Sequence, residues 1–315
     1  MQHKRVVITG GAGFIGSNLV KSLLEGNNEI IVIDNLSTGK IENIKQFIDE
    51  HKIEFIKADI TDYSTIYKIL NNNAIDFVFH LAAQISVPMS LSHPQKTHEV
   101  NVTGTYNVLQ AAAMSHVEKV VFSSSCAVYG NEHQNKAIKE SDKPQPLNPY
   151  ALSKLIGEQY CTLFSTCFNL KCVSLRYFNV YGPKQDPLGE YAAVIPKFIE
   201  RVQNCQSPII YGDGSQTRDF IFVEDVVKAN MLAAEKEVQG IFNIATGVQI
   251  SIRDLANTIM NCVDTDLQVI YEEPRACEIM KSIADITKAN NELQFNISYP
   301  LNKGLEITIS NFPNE

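Results

Sequence analysis

The fold is decided by one stretch near the start of the chain, Val6-Val7-Ile8-Thr9-Gly10-Gly11-Ala12-Gly13-Phe14-Ile15-Gly16-Ser17. A run of β-branched residues leads into a glycine-rich turn, and a helical segment follows directly. Glycine at 10, 13 and 16 allows a tight turn whose backbone N–H groups approach a pyrophosphate, and the helix N-terminus adds its positive dipole end. An isolated glycine-rich turn is often only structural. The flanking strand and helix favour a dinucleotide-binding site.

Outward from this stretch, short apolar segments alternate with segments of helical length. Predicted strands lie at Val6–Thr9, Ile30–Ile33, Glu54–Ile56, Phe77–His80, Val120–Ser123 and Val173–Arg176. Predicted helices between them cover Ser17–Glu25, Tyr63–Asn71, Asn101–Ser115 and Tyr150–Phe168. Nearly continuous hydrophobicity is typical of parallel strands that are covered on both faces. The sequence therefore predicts an α/β fold with a doubly wound parallel sheet of the Rossmann type.

Beyond about Arg176 the pattern is broken by glycines and prolines, and helices are predicted again at Val223–Lys236, Ile252–Cys262 and Ile286–Leu293. We expect residues 1–178 to form the dinucleotide-binding domain. Residues 179–315 should form mainly a smaller C-terminal substrate-binding domain, with a segment at about 219–245 returning to the first. The smaller domain should pack at the carboxyl edge of the sheet, where open α/β sheets bind ligands.

Composition narrows the classes of function. The chain has 315 residues, 44% of them hydrophobic and 20% charged, as expected for a globular protein. A net charge of -8 argues against broad contact with nucleic acid or with an anionic membrane. With neither a signal peptide nor a membrane span in the sequence, we expect a cytoplasmic protein. The seven cysteines include no CxxC pair, so reduced thiols and no metal site are expected.

The second predicted strand ends in Asp34. An acidic residue at this point hydrogen-bonds the ribose hydroxyls of NAD and repels the additional phosphate of NADP. Asn35-Leu36-Ser37 follow, without an arginine that would hold such a phosphate. The alternative is a loop aspartate that caps the next helix. The sequence favours NAD as the cofactor.

Tyr150 and Lys154 lie four residues apart on a predicted helix and therefore share one face. A phenol is a poor base at neutral pH, but the positive charges of Lys154 and of a nicotinamide ring favour the phenolate. Ser125 follows a predicted strand at the carboxyl end of the sheet, where it can hold a substrate hydroxyl and relay its proton to Tyr150. An ordinary surface pair is the alternative for an isolated Tyr and Lys at this spacing, and a polar turn is the alternative for the serine.

With these residues in place, the chain resembles the extended short-chain dehydrogenase/reductase family over essentially its whole length. The motifs that carry the resemblance are TGGAGFIGSNLV at 9–20, HLAA at 80–83, NVTGTYNVL at 101–109, SSSCAVYG at 123–130, PYALSK at 149–154 and RYFNVYGP at 176–183. Two further segments, RYFNVYGPKQDPLGEYAAVIPKF and YGDGSQTRDFIFVEDV, are similar to the branch of 4-epimerases acting on UDP-glucose and UDP-N-acetylglucosamine.

The resemblance implies a mechanism. Tyr150 removes the proton of the 4′-hydroxyl while hydride moves from C4′ to NAD⁺, the 4-keto sugar rotates, and hydride returns to its opposite face. It also implies a cofactor site, formed by Gly10, Gly13, Phe14, Ile15, Gly16, Asp34, Asn35, Ser37, Thr38, Gly39, Asp59, Ile60, Leu81, Ala82, Ala83, Tyr150, Lys154 and Tyr177. NAD is regenerated in each turnover and should remain bound.

The resemblance further implies a UDP-sugar site, formed by Ser125, Tyr150, Asn179, Ala193, Val194, Lys197, Tyr211, Arg218, Arg275, Glu278 and Ser282. Asn179 lies where the diphosphate is contacted, and Arg218 suits a bidentate contact with phosphate. The alternative for Arg218 is a purely structural role, as a local ion pair with Asp219. Ser282 aligns with the family's gate position, where a small residue leaves space for an acetamido group.

The chain departs from the family pattern at two places. Cys277-Glu278 stand where the family often has Gly-Asp, and Gln84 stands where some epimerases place a lysine. The cofactor contact that this lysine makes is therefore not assigned to Gln84.

Three other functions are weighed against an epimerase of neutral hexoses. A 4,6-dehydratase needs an additional acid/base pair, and Cys126-Ala127 after Ser125 do not supply it. A UDP-uronate 4-epimerase needs donors for the sugar carboxylate, which the sequence does not identify. A non-catalytic NAD-binding regulator of this fold would not need Tyr150 and Lys154. The family also implies a homodimer that packs the helices Asn101–Ser115 and Tyr150–Phe168.

Overall fold

A computed structural model describes residues 1–131, 136–187, 193–274 and 280–312 of the chain. Its centre is a seven-stranded sheet in the order β3-β2-β1-β4-β5-β6-β10, in which every pair of neighbouring strands is parallel. These strands are β1 (Arg5–Thr9), β2 (Glu29–Asp34), β3 (Glu54–Lys57), β4 (Phe77–His80), β5 (Lys119–Ser125), β6 (Lys171–Tyr177) and β10 (Gly240–Ile244). The strand order reverses between β1 and β4, and the crevice at such a point is where α/β sheets bind ligands.

Two helical layers cover the sheet because successive strand residues face opposite sides. Val6 and Ile8 of β1 pack in one core, and Val7 between them packs in another. The helices in the described chain are α1 (Phe14–Leu24), α2 (Lys45–Asp49), α3 (Tyr63–Asn72), α4 (Val87–Ser92), α5 (Pro94–His98), α6 (Gly104–Met114), α7 (Pro149–Cys167), α8 (Val194–Gln203), α9 (Val223–Glu235), α10 (Ile252–Cys262) and α11 (Leu301–Ser310). The first core includes residues of α1 and α9, and the second includes residues of α3, α6 and α7. The prediction of a doubly wound Rossmann-type sheet is confirmed.

A further hydrophobic core lies among the later elements and is built around α8, α10 and α11. Two small sheets accompany it, one of β11 (Gln249–Ser251), β9 (Thr217–Phe222) and β7 (Asn179–Tyr181), and one of β12 (Ile270–Glu272) and β8 (Ile209–Tyr211). Strand β10, by contrast, pairs in parallel with β6 of the large sheet. The chain therefore leaves the large sheet after β6 and comes back to it at 240–244.

One predicted helix has a different form. The α-helix expected at Ile286–Leu293 is instead a π-helical turn over Ala289–Leu293. Ala289, Leu293 and Phe295 are all fully buried in the first core, and Gln294 adopts a left-handed conformation with φ 56°. The left-handed residue Gln294 ends the turn, and Phe295 after it packs in the same core as Ala289 and Leu293.

In the part of the chain that the structure describes, no helix is both long and apolar enough to cross a membrane. The six described cysteines are free thiols; the seventh, Cys277, lies outside the described residues.

Candidate active site

The glycine-rich turn joins β1 to α1 and forms a cradle that larger residues would fill. Gly10 has φ +74°, and a Cβ atom there would lie 2.7 Å from the backbone nitrogen of Ala82. A Cβ at Gly16 would overlap the carbonyl oxygen of Gly10. Gly13 is the N-cap of α1 and offers no side-chain cap, so the N–H groups in the first turn, from Phe14 and Ile15 onward, have no intrahelical acceptor. The turn thus presents unpaired donors at a helix N-terminus, which suits a pyrophosphate.

Asp34 lies at the carboxyl end of β2 and is 7% exposed. Its carboxylate accepts hydrogen bonds from the N–H of Ala12 at 3.0 Å and of Leu36 at 2.8 Å. Burial raises the pKa of Asp34, and these two hydrogen bonds oppose the rise. A carboxylate has about four lone-pair sites, so acceptor capacity remains for two ribose hydroxyls. Asp34 does not cap the next helix, which was the alternative. Its carboxylate accepts hydrogen bonds from the glycine-rich loop and from the turn that follows β2.

The other predicted cofactor residues surround the same carboxyl edge. Asn35 donates to the carboxylate of Asp59 at 2.8 Å and accepts from the N–H of Ser37 at 2.9 Å. Ile60 packs under Gly104 of α6, whose missing side chain makes room for it. Exposed or half-buried positions along this edge are Ser37, Thr38, Gly39, Leu81, Ala82 and Ala83. Tyr177 ends β6 and is buried, with its hydroxyl donating to Asn230 at 2.9 Å.

The three predicted catalytic residues meet where β5 ends and α7 begins. The side chain of Asn148 caps α7, accepting from the N–H of Ala151 at 2.9 Å, and Pro149 occupies the first turn. Tyr150 therefore enters the helix beside the end of β5, where its phenol is hydrogen-bonded to Ser125. The Ser125 oxygen accepts from the N–H of Ala127 at 3.2 Å, which leaves its proton for the phenol oxygen.

Lys154 lies one turn further along α7 and is 3% exposed. Its ammonium donates to the carbonyl oxygen of Ser123 at 2.8 Å and sits 5.2 Å from the centre of the Phe122 ring. Burial lowers the pKa of Lys154 to about 8, while burial raises the pKa of Tyr150 to about 12 against the hydrogen bond from Ser125. A buried cation one helical turn from a buried phenol, both with strongly displaced pKa values, is typical of a functional site.

Residues without a predicted role hold this arrangement. Asn101 lies in a π-helical turn, Glu99–Thr103, that interrupts the helix before α6. It donates to Ser153 of α7 at 2.9 Å and exchanges hydrogen bonds with the backbone of Gln84 at 2.7 and 2.9 Å. His80 bridges the hydroxyls of Thr9 at 2.7 Å and Thr105 at 3.0 Å. Asn101 and His80 lie in the motifs NVTGTYNVL and HLAA. In the sequence these motifs carry only the family resemblance and predict no role for the two residues.

The predicted diphosphate contacts lie together on a different sheet. Asn179 of β7 donates to the backbone oxygen of Asp219 in β9 at 3.0 Å, and Arg218 precedes Asp219. The Asp219 carboxylate is fully buried and accepts from Thr246 N at 2.8 Å, Thr246 Oγ1 at 2.7 Å, Gly247 N at 2.9 Å and Ala284 N at 3.2 Å. Asp219 therefore joins loops through their backbone, which disfavours the interpretation of Arg218 and Asp219 as a simple ion pair.

Of the remaining predicted substrate residues, Ser282 lies beside Arg218, four lie at the start of α8 or on β8, and two lie outside the described part of the chain. Ser282 is 9% exposed, and its N–H donates to the carbonyl oxygen of Thr217, next to Arg218, at 3.2 Å. Ala193 is the N-cap of α8 without a side-chain cap, and Val194 and Lys197 occupy its first turns. Tyr211 ends β8 and is half-buried. Arg275 and Glu278 lie outside the described residues.

Cys126 connects the two groups of residues. Burial raises the pKa of its thiol to about 12, and the nearby charges of Arg218 and Asp219 lower and raise that pKa respectively. Cys126 in turn raises the pKa of Tyr150. The catalytic residues and the diphosphate candidates thus border one region. Across the described residues there is no group of three or more His, Cys, Asp or Glu that could hold a metal ion.

Comparison with known proteins identifies the family of the chain. Residues 6–245 match the model of the NAD dependent epimerase/dehydratase family. Over 314 residues the chain is 38% identical to the UDP-glucose 4-epimerase of Mycolicibacterium smegmatis, with 99% of each protein covered. Among solved structures, the UDP-N-acetylglucosamine 4-epimerase from Methanobrevibacter ruminantium, in complex with UDP-N-acetylmuramic acid, superposes with a TM-score of 0.94 at 41% identity and 99% coverage of both chains.

A third relative carries the cofactor. The UDP-glucose 4-epimerase of Thermus thermophilus, solved in complex with NAD, superposes with a TM-score of 0.89 at 35% identity and 98% coverage of both chains. The chain therefore belongs to the NAD dependent epimerase/dehydratase family. It is an NAD-dependent enzyme, and the resemblance to extended short-chain dehydrogenases/reductases is confirmed.

Proposed function

We propose that the chain is a UDP-hexose 4-epimerase, which interconverts UDP-glucose with UDP-galactose and also UDP-N-acetylglucosamine with UDP-N-acetylgalactosamine. The observation that carries the proposal is the buried ammonium of Lys154, which lies one helical turn from Tyr150 and bonds the Ser123 carbonyl of β5, the strand that ends in Ser125. Cys126 and Ala127 follow Ser125, and neither is the acid/base pair that elimination of water would need. These residues support epimerisation over dehydration.

The chain's own residues control the proton of the 4′-hydroxyl. We assign Ser125, at the end of β5 beside Tyr150, to hold that hydroxyl and pass its proton to the phenolate. We assign Lys154 to favour the phenolate, since it is a buried positive charge one helical turn from Tyr150. Bound NAD supplies the redox chemistry at C4′. The protein positions the ring of either epimer and closes the site to water.

The residues that would hold NAD fit that cofactor. Gly10, Gly13 and Gly16 leave space for a pyrophosphate at the N-terminus of α1, and Asp34 retains acceptor capacity for ribose hydroxyls. Asp59 is a second carboxylate at the edge, held by Asn35 and Thr61. These contacts use backbone donors and carboxylates only, which favours NAD over a cofactor with a further phosphate.

For the sugar nucleotide we propose that Asn179, Arg218 and the N-terminus of α8 bind the diphosphate, with Lys197 adding positive charge. An uncapped helix N-terminus and a guanidinium are both suited to phosphate. We assign Tyr211, Arg275 and Glu278 to the uridine. Ser282 is assigned to the gate, and its small hydroxymethyl group supports acceptance of N-acetylated sugars.

We also propose the domain division and a homodimer. The core around α8, α10 and α11 supports a smaller substrate-binding domain within 179–315. From the segment at about 219–245, α9 and β10 return to the first domain, whereas β9 pairs within the small sheet. Helices α6 and α7 expose Tyr106 (37%), Met114 (58%), Leu152 (47%) and Leu163 (46%), which is the apolar surface that a second copy would cover. Light scattering should give the mass of two chains. A mass near one chain would contradict the dimer.

The function is tested by incubating the purified protein separately with UDP-galactose and UDP-N-acetylgalactosamine, with no NAD added, and recording proton NMR spectra of the sugars. Both are expected to convert to their 4-epimers. UDP-glucuronate is included as the competing substrate. Conversion of UDP-glucuronate alone, or of none of the three after NAD is supplied, would contradict the proposal.

A further inference from the structure

A buried ion pair lies next to the predicted catalytic residues at the end of β5 and the start of α7. The proposed chemistry does not use it. Glu158 of α7 is fully buried and Arg176 of β6 is 1% exposed. Arg176 Nε donates to Glu158 Oε1 at 2.8 Å, and Nη2 donates to Oε2 at 2.6 Å. The hydroxyl of Ser124 donates to Oε1 at 2.5 Å. We call these three residues the clamp.

Each member of the clamp is a close neighbour of a residue of the candidate site. Glu158 lies one turn beyond Lys154 and two turns beyond Tyr150, on the same face of α7. Ser124 directly precedes Ser125 on β5. Arg176 is opposite Ser124 in the pairing of β5 with β6, and it directly precedes Tyr177. A displacement of the clamp therefore moves the helix that carries Tyr150 relative to the strand that carries Ser125.

The clamp has little freedom to rearrange. The guanidinium of Arg176 lies 4.6 Å from the centre of the Tyr129 ring, and the Tyr129 hydroxyl donates to Asn243 at 2.6 Å. Arg176 Nη1 also donates to the carbonyl oxygen of Glu140 at 3.4 Å. Beside Glu158, a Cβ atom at Gly157 would overlap the ring of Phe122, so α7 lies directly against β5. Fixed partners and close packing set both the rotation of α7 and its position along its axis.

We infer that the clamp of Ser124, Glu158 and Arg176 is a positioning device for the epimerase reaction, which fixes the distance from the Tyr150 phenol to Ser125 and to the substrate hydroxyl. The inference rests on the proposed function. None of the three residues touches the reacting atoms in this assignment. They act through the placement of α7 on β5.

Stability alone is a weak explanation for such a pair. Two charges removed from water are costly, and apolar side chains of similar volume often stabilise a fold as well or better. A bidentate guanidinium–carboxylate contact, in contrast, defines direction as well as distance. Because acid/base catalysis needs heavy atoms within hydrogen-bond reach, a shift of about 1 Å in α7 would cost on the order of 100-fold in rate.

The chain offers a matched control for the loss of a buried charge. Lys119 is fully buried at the other end of β5, where its ammonium donates to the carbonyl oxygens of Ala233 at 3.2 Å and Ala234 at 3.1 Å, at the C-terminus of α9. It belongs to the same strand as Ser124 but lies at the amino edge of the sheet, away from Tyr150. Lys119→Met should lower the melting temperature and leave kcat per folded enzyme unchanged.

The test compares the double variant Glu158→Met/Arg176→Met with wild type, with Lys119→Met and with Ser124→Ala. For each we would measure the melting temperature, and kcat and KM for UDP-galactose. The double variant should fold, with a melting temperature near that of wild type, while its kcat falls about 10- to 100-fold at nearly unchanged KM. Ser124→Ala keeps the ion pair and should lower kcat several-fold without loss of stability.

If the double variant has both the melting temperature and the kcat of wild type, the pair has no positioning role and the inference is overturned. If the double variant does not fold, Ser124→Ala decides, since an unchanged kcat in that variant also overturns the inference. A wild-type protein without activity on any UDP-hexose would instead contradict the proposed function, and the inference with it. The two failures are therefore distinguishable.

Discussion

Ser125, Tyr150 and Lys154 come from two elements that pack against each other, the end of β5 and the first turns of α7. Asn179, Arg218 and Ser282 come from three segments far apart in the chain, which meet around Asp219. The Asn179 amide donates to the Asp219 carbonyl, and the buried Asp219 carboxylate accepts from backbone N–H groups of two loops. The first region is held mainly by side chains at the end of β5 and the start of α7. The second is held by short strand pairings and by hydrogen bonds to the backbone of loops.

The difference assigns different tasks to the two regions. Side chains locked at the edge of a packed sheet hold reacting atoms at fixed distances, as acid/base chemistry requires. Loops joined by their backbones tolerate changes of side chain, so the second region can be altered in what it accepts without altering the reaction. Substitutions in the catalytic region should therefore change kcat for every sugar. Those in the sugar-nucleotide region should change which sugar is used.

The largest effect is expected from Tyr150→Phe, which removes the phenol that exchanges the 4′-hydroxyl proton. We expect kcat to fall by about 10³-fold for UDP-galactose and UDP-N-acetylgalactosamine alike, with little change in KM. Steady-state kinetics on both substrates measures this. Tyr160→Phe on the same helix is the control, because Tyr160 packs against Tyr106 at 5.4 Å, away from Ser125. A loss confined to one of the two sugars would contradict the claim that the catalytic region acts on every sugar alike.

The next effect concerns selectivity. Ser282→Tyr should fill the space assigned to the acetamido group, so the ratio of kcat/KM for the acetylated over the unacetylated sugar should fall by about 10- to 200-fold. Activity on UDP-galactose should remain. Ser282→Ala, which stays small, should leave the ratio unchanged. Equal losses on both sugars after Ser282→Tyr would mean that this position does not face the sugar.

A smaller effect is expected at the cofactor. Asp34→Asn keeps the shape of the side chain but removes its charge and one acceptor, so the Kd for NAD should rise about tenfold or more. Isothermal titration of protein freed of nucleotide measures the change. The exposed Asp49 of α2 supplies the control variant Asp49→Asn. An unchanged affinity in Asp34→Asn would remove Asp34 from the cofactor site.

The smallest effect is a pH dependence. Since burial lowers the pKa of Lys154 to about 8, its positive charge is present below that pH and is lost as the pH rises through it. The wild-type kcat should therefore decline above about pH 8. Lys154→Arg keeps its charge throughout, so its kcat, although lower, should not decline in the same range. Parallel profiles between about pH 6 and 10 would contradict this role of Lys154.

The same contrast explains what the sequence predicts well. The cofactor cradle and the pair Tyr150–Lys154 depend on neighbouring residues in one strand, turn or helix, so spacing alone indicates their geometry. The strands of the large sheet are equally visible, because burial on both faces makes each a continuous apolar run. The fold class follows from such local patterns, and so does the prediction that Tyr150 and Lys154 lie together.

What the sequence does not predict depends on distant contacts. Nothing local indicates that the Asp219 carboxylate joins the turn at Thr246 and Gly247 to Ala284, and an ion pair with Arg218 is an equally natural expectation. The π-helical turns at Glu99–Thr103 and Ala289–Leu293 are likewise invisible in the sequence, because no local pattern distinguishes them from an α-helix. Pairing of Glu158 with Arg176 requires knowledge that α7 crosses β5 and β6.

The central claim is that C4′ is oxidised and reduced again inside a closed site. UDP-galactose carrying deuterium at C4′ would be incubated with the protein, and the product would be examined by NMR and mass spectrometry. Epimerisation through a 4-keto sugar should give UDP-glucose that retains the deuterium at C4′, because the same cofactor takes it up and returns it without exchange with water. Loss of the label to solvent, its transfer to another carbon, or a product lighter by one water would contradict this mechanism.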